Sequence, residues 1–386
     1  MAASNSNYYD LVSSLAVVGA GPYGVAVAAH ARDRGIETTV FGHPMEFWTR
    51  HMPAGMLLRS GLDWHLDAAA EHTFEAFAEE RGIAPQDVDP VPIAVFLAYA
   101  SWFQARKQVD VTEKLVSSVT RNDGRFILWL DDGSSVTAER VLVAPGAGYF
   151  RRVPDWAAPL RQHAAHTVDF VRFDQVAGTR VLVVGGRQSA YEWAALLGEH
   201  GAQRVDIVHR HAEPRFDRVS WAFVDRYVEQ TLSTTGWWRT LRPDERQAIE
   251  REFWEVGRLT LEWWLVPRLA GGQFHRWPET QVTEAEERRD GTVGVTLSNG
   301  EKLQVDQVLF ATGYQPELAN VPYLHDLLPE IDVADGYPVL DEWFQTSIPG
   351  LSVTGLAATR DFGPFFGFTK ACPAAARLIV DGLLRS

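Results

Sequence analysis

The apolar positions of this chain fall into two repeating patterns. Short unbroken apolar runs rich in β-branched residues, Leu15-Ala-Val-Val-Gly19 and Arg180-Val-Leu-Val-Val184, predict buried parallel strands. The first runs into Gly19-Ala-Gly21-Pro-Tyr-Gly24, then into a helix-compatible stretch at Val25–Ala31, a stop at Gly35 and a second strand at Thr38–Phe41. Strand, glycine turn, helix and strand within about 30 residues is a βαβ unit. The pattern returns as Arg180–Val184, a turn at Gly185–Ala190, a helix over Tyr191–His200 ending at Gly201, and a strand at Val205–His209. Period-two alternation over 112–149 and again over 282–314 predicts two β-meanders. Their hairpin turns are marked by Asn122-Asp-Gly124, Asp131-Asp-Gly133, Asp290-Gly291 and Asn299-Gly300. Each meander closes on an apolar strand that ends in Ala-x-Gly, Val141–Gly146 and Val308–Gly313.

Residues 212–275 break this order: they are charged, helix-compatible and rich in tryptophan. Leu351–Thr354 is read as a strand that returns to the first sheet, and a helix-like run follows Phe362-Gly-Pro364 as far as Leu384. The expected fold class is α/β, two Rossmann-like βαβ domains with β-meander inserts and a helical Trp-rich insertion. The expected division is a first domain over 1–175, a second over 176–310 with the insertion at 212–275, and a return to the first over 311–386.

Composition narrows the chemistry. A chain of 386 residues exceeds what one core normally supports, which agrees with two domains. Its 36 Lys+Arg against 50 Asp+Glu leave a net charge of −14, the wrong sign for general nucleic-acid binding. A single cysteine, Cys372, leaves no intrachain disulfide, Cys-pair redox centre or multi-cysteine metal site. The 12 histidines lack metal spacing, so no metal is expected. The N-terminal MAASNSNYYD lacks the pattern of a secretory leader, and the apolar stretch Val91–Phe103 is too short to span a bilayer, so the expected compartment is the cytoplasm.

Gly19-x-Gly21-x-x-Gly24 has the spacing of a dinucleotide turn. The first glycine permits the tight turn, the second lets backbone approach a pyrophosphate, and the third lets helix pack on strand. Helix N-terminal amides and partial positive charge then face that pyrophosphate. The acidic residue that usually follows about 20 residues later, to hold a ribose, is missing. The second strand ends Phe41-Gly42-His43, and Glu46 is the nearest substitute. In the second turn Gly185, Gly186, Arg187, Gln188 and Ser189 lead to Ala190, and the next strand is followed by His209-Arg210-His211. Cations there suit a 2′-phosphate, which favours NADPH over NADH.

In this order of parts the sequence resembles the two-dinucleotide flavoproteins, and within them the class B flavin-dependent monooxygenases, which include flavin-containing and N-hydroxylating enzymes. Ala311-Thr-Gly-Tyr314 stands where that group carries it, and Trp48-x-x-His51-x-x-x-Gly55-Met56-Leu57-Leu58 is similar to a flavin-side segment of the N-hydroxylating enzymes. The group's histidine signature survives only as Leu160-x-Gln162-x-x-x-His166-x-x-x-Phe170, which leans away from the Baeyer–Villiger branch. The resemblance implies FAD held by Gly19, Gly21, Pro22, Tyr23, Gly24, Glu46, Trp48, Met56, Arg59, Val116, Ala144, Gly146, Gly363 and Pro364. It implies NADPH held by Gly185, Gly186, Arg187, Gln188, Ser189, His209, Arg210, Ala311, Thr312 and Gly313. A C-terminal helix starting at Gly363-Pro364 is expected to aim its N-terminus at the flavin's pyrimidine side.

The implied reaction uses NADPH to reduce FAD. Molecular oxygen then forms a C4a-hydroperoxyflavin, which passes one oxygen atom to an amine nitrogen or a sulfur of a small molecule, in specialised metabolism. No side-chain acid or base is obligatory; Arg59, His166, Gln188 and Tyr314 are the candidates for a catalytic part. Two other functions fit the same turns, an NAD(P)H-dependent reductase of a small disulfide or quinone and a non-catalytic nucleotide-binding protein. Trp221, Trp237, Trp238, Trp254, Trp263 and Trp264 in the insertion, with Trp277 just beyond, make up seven of the 14 tryptophans. They are expected to cement the insertion, to wall in a bulky or aromatic substrate with Trp237-Trp238 as a lid hinged at Thr234-Thr235-Gly236, or to form a homodimer face.

Overall fold

The computed structural model describes residues 12–385; the N-terminal segment read above for a leader lies outside them. The first sheet is built around Val12–Val18, flanked in parallel by Thr38–Phe41 and by Ser135–Val143. Val111–Thr112 extends the Thr38–Phe41 edge. The nine-residue strand Ser135–Val143 serves two partners along its far side. Its first half pairs antiparallel with Arg125–Leu130 in the meander, and its last residues pair in parallel with Leu351–Val353. The C-terminal strand thus returns to the first sheet. The turn between Val116–Asn122 and Arg125–Leu130 has Asp123 at φ 48° and Gly124 at φ 80°, the left-handed pair that a two-residue hairpin needs.

The second sheet is all parallel, in the order Phe274–Trp277, Arg204–Val208, Arg180–Val184, Gln307–Phe310, Ala164–His166. Val282–Glu287, Val293–Leu297 and Lys302–Val305 form the second meander as an antiparallel sheet of their own. Two of these strands differ from the expected division. Ala164–His166 joins the second sheet although it precedes residue 176, and Phe274–Trp277 takes the last residues of the 212–275 stretch into that sheet. Three and four residues are too few to carry a period, so only pairing reveals them.

The insertion is helical, with Asp225–Ser233, Trp237–Thr240 and Pro243–Glu252 running into a π-helical turn at Phe253–Arg258. It also adds the short parallel pair Arg215–Asp217 and Thr260–Glu262. Its anchor is Glu192, buried on the helix Gln188–Glu199. That carboxylate accepts from Trp264 Nε1 at 2.7 Å and from Arg268 at 2.6 Å, while Arg268 also reaches Glu199 at 2.7 Å. Burial pushes the Glu192 carboxyl up, which these donors oppose.

The structure corrects two expectations. Trp238 is core, 2% exposed, with its indole N–H donating to the Arg360 carbonyl at 3.1 Å and its ring edge-on to Phe365 at 5.8 Å. A side chain so enclosed is a fixed wall and cannot swing as a lid. The C-terminal helix begins at Cys372, not at Gly363-Pro364. Pro364 opens a single 3₁₀ turn to Gly367, because the extended backbone of Phe368 interrupts the helix there.

Candidate dinucleotide sites and the contacts between them

The two halves repeat at the level of single hydrogen bonds. Gly19 N donates to Phe41 O at 2.8 Å and Ala144 N to Val18 O at 2.8 Å; Gly185 N donates to Val208 O at 2.9 Å and Ala311 N to Val184 O at 2.9 Å. Gly19 has φ +111° and Gly185 φ +143°, and a side chain on either would overlap the facing carbonyl, of Ala144 or Ala311. Ala144 and Ala311 are therefore the floors of the two turns. Gly24 is equally closed, against the Gly19 carbonyl, whereas a side chain on Gly21 would meet no protein atom within 4 Å. Only the position meant for pyrophosphate approach is open, and the helix Pro22–Asp33 has no side-chain cap on its first amides. The first turn fits a dinucleotide. Gly146 (φ 71°) and Gly313 (φ 79°), also open, lie on the outgoing chain of each half.

Tyr23 ties this turn to the C-terminal segment. Its hydroxyl proton is shared between the carbonyls of Phe366 and Phe368, the latter at 2.7 Å. Gly363, φ +92°, lies under Trp238 and Phe365 with no room for a side chain, which fixes the start of the Pro364–Gly367 turn. After the second strand, Glu46 opens the helix Glu46–Arg50 and pairs with Arg50 at 3.0 Å. Glu113, beside the edge strand Val111–Thr112, comes to 3.6 Å from His43. This carboxylate was not legible in the sequence, since it arrives from another strand. Trp48 packs on Phe96 at 4.4 Å. Met56 is buried in the second core rather than in the first, and Val116 is buried at the start of an outer meander strand.

The second turn differs from the first where it matters. The counterpart of Gly21 is Arg187, which stands at the N-cap of the helix that starts Gln188-Ser189. Its guanidinium lies over the Trp254 ring at 3.6 Å, and burial lowers its pKa to about 10, with Arg210 adding to the effect. Gly186 is closed by His209 and His211. His209 is not an available cation. It is buried, its Nδ1–H donates to His211 O at 2.9 Å, and its Nε2 accepts from the Tyr191 hydroxyl at 3.1 Å. Burial pulls its pKa down to about 4, so it is neutral near pH 7. Arg210 is exposed and has no carboxylate partner among the described residues.

The four catalytic candidates all have structural engagements. Arg59 donates to Glu262 at 2.9 Å and to Thr260 O at 3.0 Å, and Gln188 accepts from Glu262 N at 3.0 Å while donating to Glu192. Together they clamp the insertion strand Thr260–Glu262. His166 accepts at Nδ1 from Val168 N at 3.2 Å and donates from Nε2 to Gly313 O at 3.2 Å, so both nitrogens are used and burial disfavours its cation. Tyr314 is edge-on to His166 at 5.3 Å and to Phe47 at 6.0 Å, and burial raises its phenol pKa. The linker from Ala311 through Gln315 lies along residues 150–152, joined by Arg152 N to Gly313 O at 3.0 Å, Gln315 N to Phe150 O at 2.7 Å, and Thr312 to the Arg152 carbonyl. These residues pin the crossing between the two halves.

A continuous line of contacts joins the turns. Tyr23 touches the Phe366–Phe368 segment, Phe368 lies under the Arg258 guanidinium at 4.7 Å, Arg258 lies over Trp254 at 5.7 Å, and Trp254 is covered by Arg187 of the second turn. Paired glycine turns, each floored by an Ala-x-Gly strand and linked by this line of aromatic and cation–π contacts, define a two-dinucleotide oxidoreductase fold. The chain belongs to the pyridine nucleotide-disulphide oxidoreductase family, whose models match residues 16–235 and 277–366. It is 26% identical over 349 residues to indole-3-pyruvate monooxygenase YUCCA1 of Oryza sativa subsp. japonica, covering 81% of this chain and 78% of that one. The ornithine N-hydroxylase of Kutzneria sp. 744, solved with reduced FAD, NADP⁺ and L-ornithine, superposes with a TM-score of 0.78 at 16% identity, covering 97% and 99% of the two chains. The bacillithiol disulfide reductase of Staphylococcus aureus superposes at 0.67 with 16% identity and the same coverage. These likenesses establish the fold. No helix among the described residues is long and apolar enough to cross a membrane, and no described cluster of His, Cys, Asp and Glu could hold a metal.

Proposed function

We propose that this protein is an FAD- and NADPH-dependent monooxygenase that transfers one oxygen atom of O₂ to an amine nitrogen or a sulfur of a small molecule, in the cytoplasm. The observation that supports this reading is the contact line from Tyr23 to Arg187, which links the two glycine turns through the aromatic insertion. Bound FAD supplies the oxygen activation. The chain's own residues bind, orient and exclude water: Gly21 admits the first pyrophosphate, Arg187 and Arg210 receive the second nucleotide, and the aromatic insertion covers the meeting point. The relatives' names point the same way, one a monooxygenase and one an N-hydroxylase. A reductase working through protein thiols is disfavoured, because Cys372 is the sole cysteine and its buried thiol is held protonated. Val256, Trp263 and Val266 are exposed apolar side chains of the insertion, the segment through which a homodimer would assemble.

The test is NADPH-driven oxygen uptake by the yellow holoenzyme with an amine and sulfide panel, under isotopically heavy O₂. One heavy oxygen atom in the product supports the proposal. NADPH oxidation that requires a disulfide or quinone and leaves no label in any product refutes it.

A further inference from the structure

Most buried guanidinium groups in this protein are compensated. Arg59 has Glu262, and Arg268 has Glu192 and Glu199. Arg187 and Arg258 lack such a partner among the described residues, and of the two only Arg258 has a buried nitrogen, Nε, with no hydrogen-bond partner. In a chain with 50 Asp+Glu against 36 Lys+Arg, carboxylates are abundant, so an uncompensated buried cation needs another explanation.

The surroundings supply one. Arg258 ends the π-helical turn Phe253–Arg258, a geometry that is rare and concentrated at functional sites. Gly257 has no room for a side chain, because a Cβ there would lie 2.6 Å from the Trp221 ring. Trp221 therefore packs directly on the turn, 5.7 Å from Phe253 and 5.5 Å from Phe368. Arg258 lies over the same two rings, at 5.6 Å and 4.7 Å. The indole N–H of Trp221 is also buried and also without a partner. Two unsatisfied donors, one of them charged, thus share one pair of aromatic walls. Unsatisfied buried donors cost free energy unless a ligand completes them. Arg187 reinforces the positive field from the nucleotide side, and burial beside it lowers the Arg258 pKa to about 9, so an arriving anion relieves the cation.

We propose that Arg258 and the Trp221 indole N–H form the anion subsite of the substrate pocket, which selects a substrate with a carboxylate on an apolar or aromatic body. The assignment rests on the monooxygenase reading for calling the ligand a substrate. The competing source of the same oxyanion chemistry is a phosphate of NADPH.

The test uses the FAD-loaded protein and a binding readout that needs no turnover, quenching of tryptophan fluorescence by phenylacetate and by its uncharged isostere phenylacetamide. Wild type is expected to bind phenylacetate at least about tenfold more tightly, the range of a charge-assisted hydrogen bond. Arg258→Met should abolish that preference, and Trp221→Phe, which keeps an aromatic ring but removes the N–H, should reduce it; in both the loss of preference should exceed any change in the NADPH Michaelis constant. Absence of the preference in wild type overturns the proposal. A variant that keeps the preference while raising the NADPH Michaelis constant about tenfold assigns the subsite to the cofactor and also overturns it. Failure of oxygen transfer with the preference intact would count against the reaction and not against the subsite.

Discussion

Replacing Trp238 by alanine should destabilise the protein strongly and only secondarily disturb FAD binding. The ring is 2% exposed, packs edge-on against Phe365 and Trp237, and covers Gly363 at the mouth of the Pro364–Gly367 turn. Truncating a buried tryptophan costs about 3–5 kcal/mol. Loss of the N–H donor to the Arg360 carbonyl adds about 1 kcal/mol. Against a folding free energy of about 5–15 kcal/mol, that is a large fraction. Trp238→Phe keeps most of the ring and should cost about 1–2 kcal/mol through the lost hydrogen bond and a smaller cavity. Urea unfolding of the holoproteins, followed by tyrosine and far-ultraviolet signals, measures both. Because Tyr23 holds the far end of the same turn through the Phe366 and Phe368 carbonyls, the alanine variant should also release FAD at a lower urea concentration than wild type. An alanine variant within about 1 kcal/mol of wild type, on the scale where surface changes fall, would refute the packing argument. If that variant also turned NADPH oxidation into hydrogen peroxide, a mobile cover would replace it.

A Cβ at Gly21 meets no protein atom, so Gly21→Ala should fold and fail to retain FAD, whereas Gly24→Ala collides with the Gly19 carbonyl and should lower stability as well; FAD absorbance and thermal unfolding separate the two. His209 has a pKa near 4 in the fold against an ordinary 6.5, so the unfolded chain binds the extra proton between these values. Its contribution is therefore full above about pH 6.5 and lost as pH falls toward 4, and His209→Gln should flatten the pH dependence of the urea midpoint in that window. Arg210→Ala should raise the Michaelis constant for NADPH roughly 10- to 100-fold, from charge-assisted bonds of about 1.5–3 kcal/mol, with NADH nearly unaffected; equal effects on both would show that Arg210 does not read the 2′-phosphate.

The repeated architecture was legible in the order of residues alone. Glycine turns at 19–24 and 185–190, apolar runs before them and Asn-Gly or Asp-Gly turns after them are local signals, and local signals set local backbone. The left-handed Asp123 and Gly124, the closed Gly19 and Gly24 and the open Gly21 all follow from residue types at fixed spacing. What each polar side chain does depends on partners that long-range packing brings to it. Arg59 and Gln188 read as candidates for chemistry, yet a strand some 70 to 200 residues away in sequence, Thr260–Glu262, claims both as its clamp. His209 and Arg210 are neighbours and were read alike as phosphate-binding cations. Burial against Tyr191 makes the first neutral, and exposure leaves the second free. Glu113 supplies a carboxylate beside His43 from a different strand, which no spacing rule could reveal. Trp221 and Arg258 each pack on Phe368 only because the insertion folds back on the C-terminal segment. Backbone conformation is governed by a residue and its near neighbours, whereas charge state, hydrogen-bond partner and accessibility are governed by whatever the fold brings from afar.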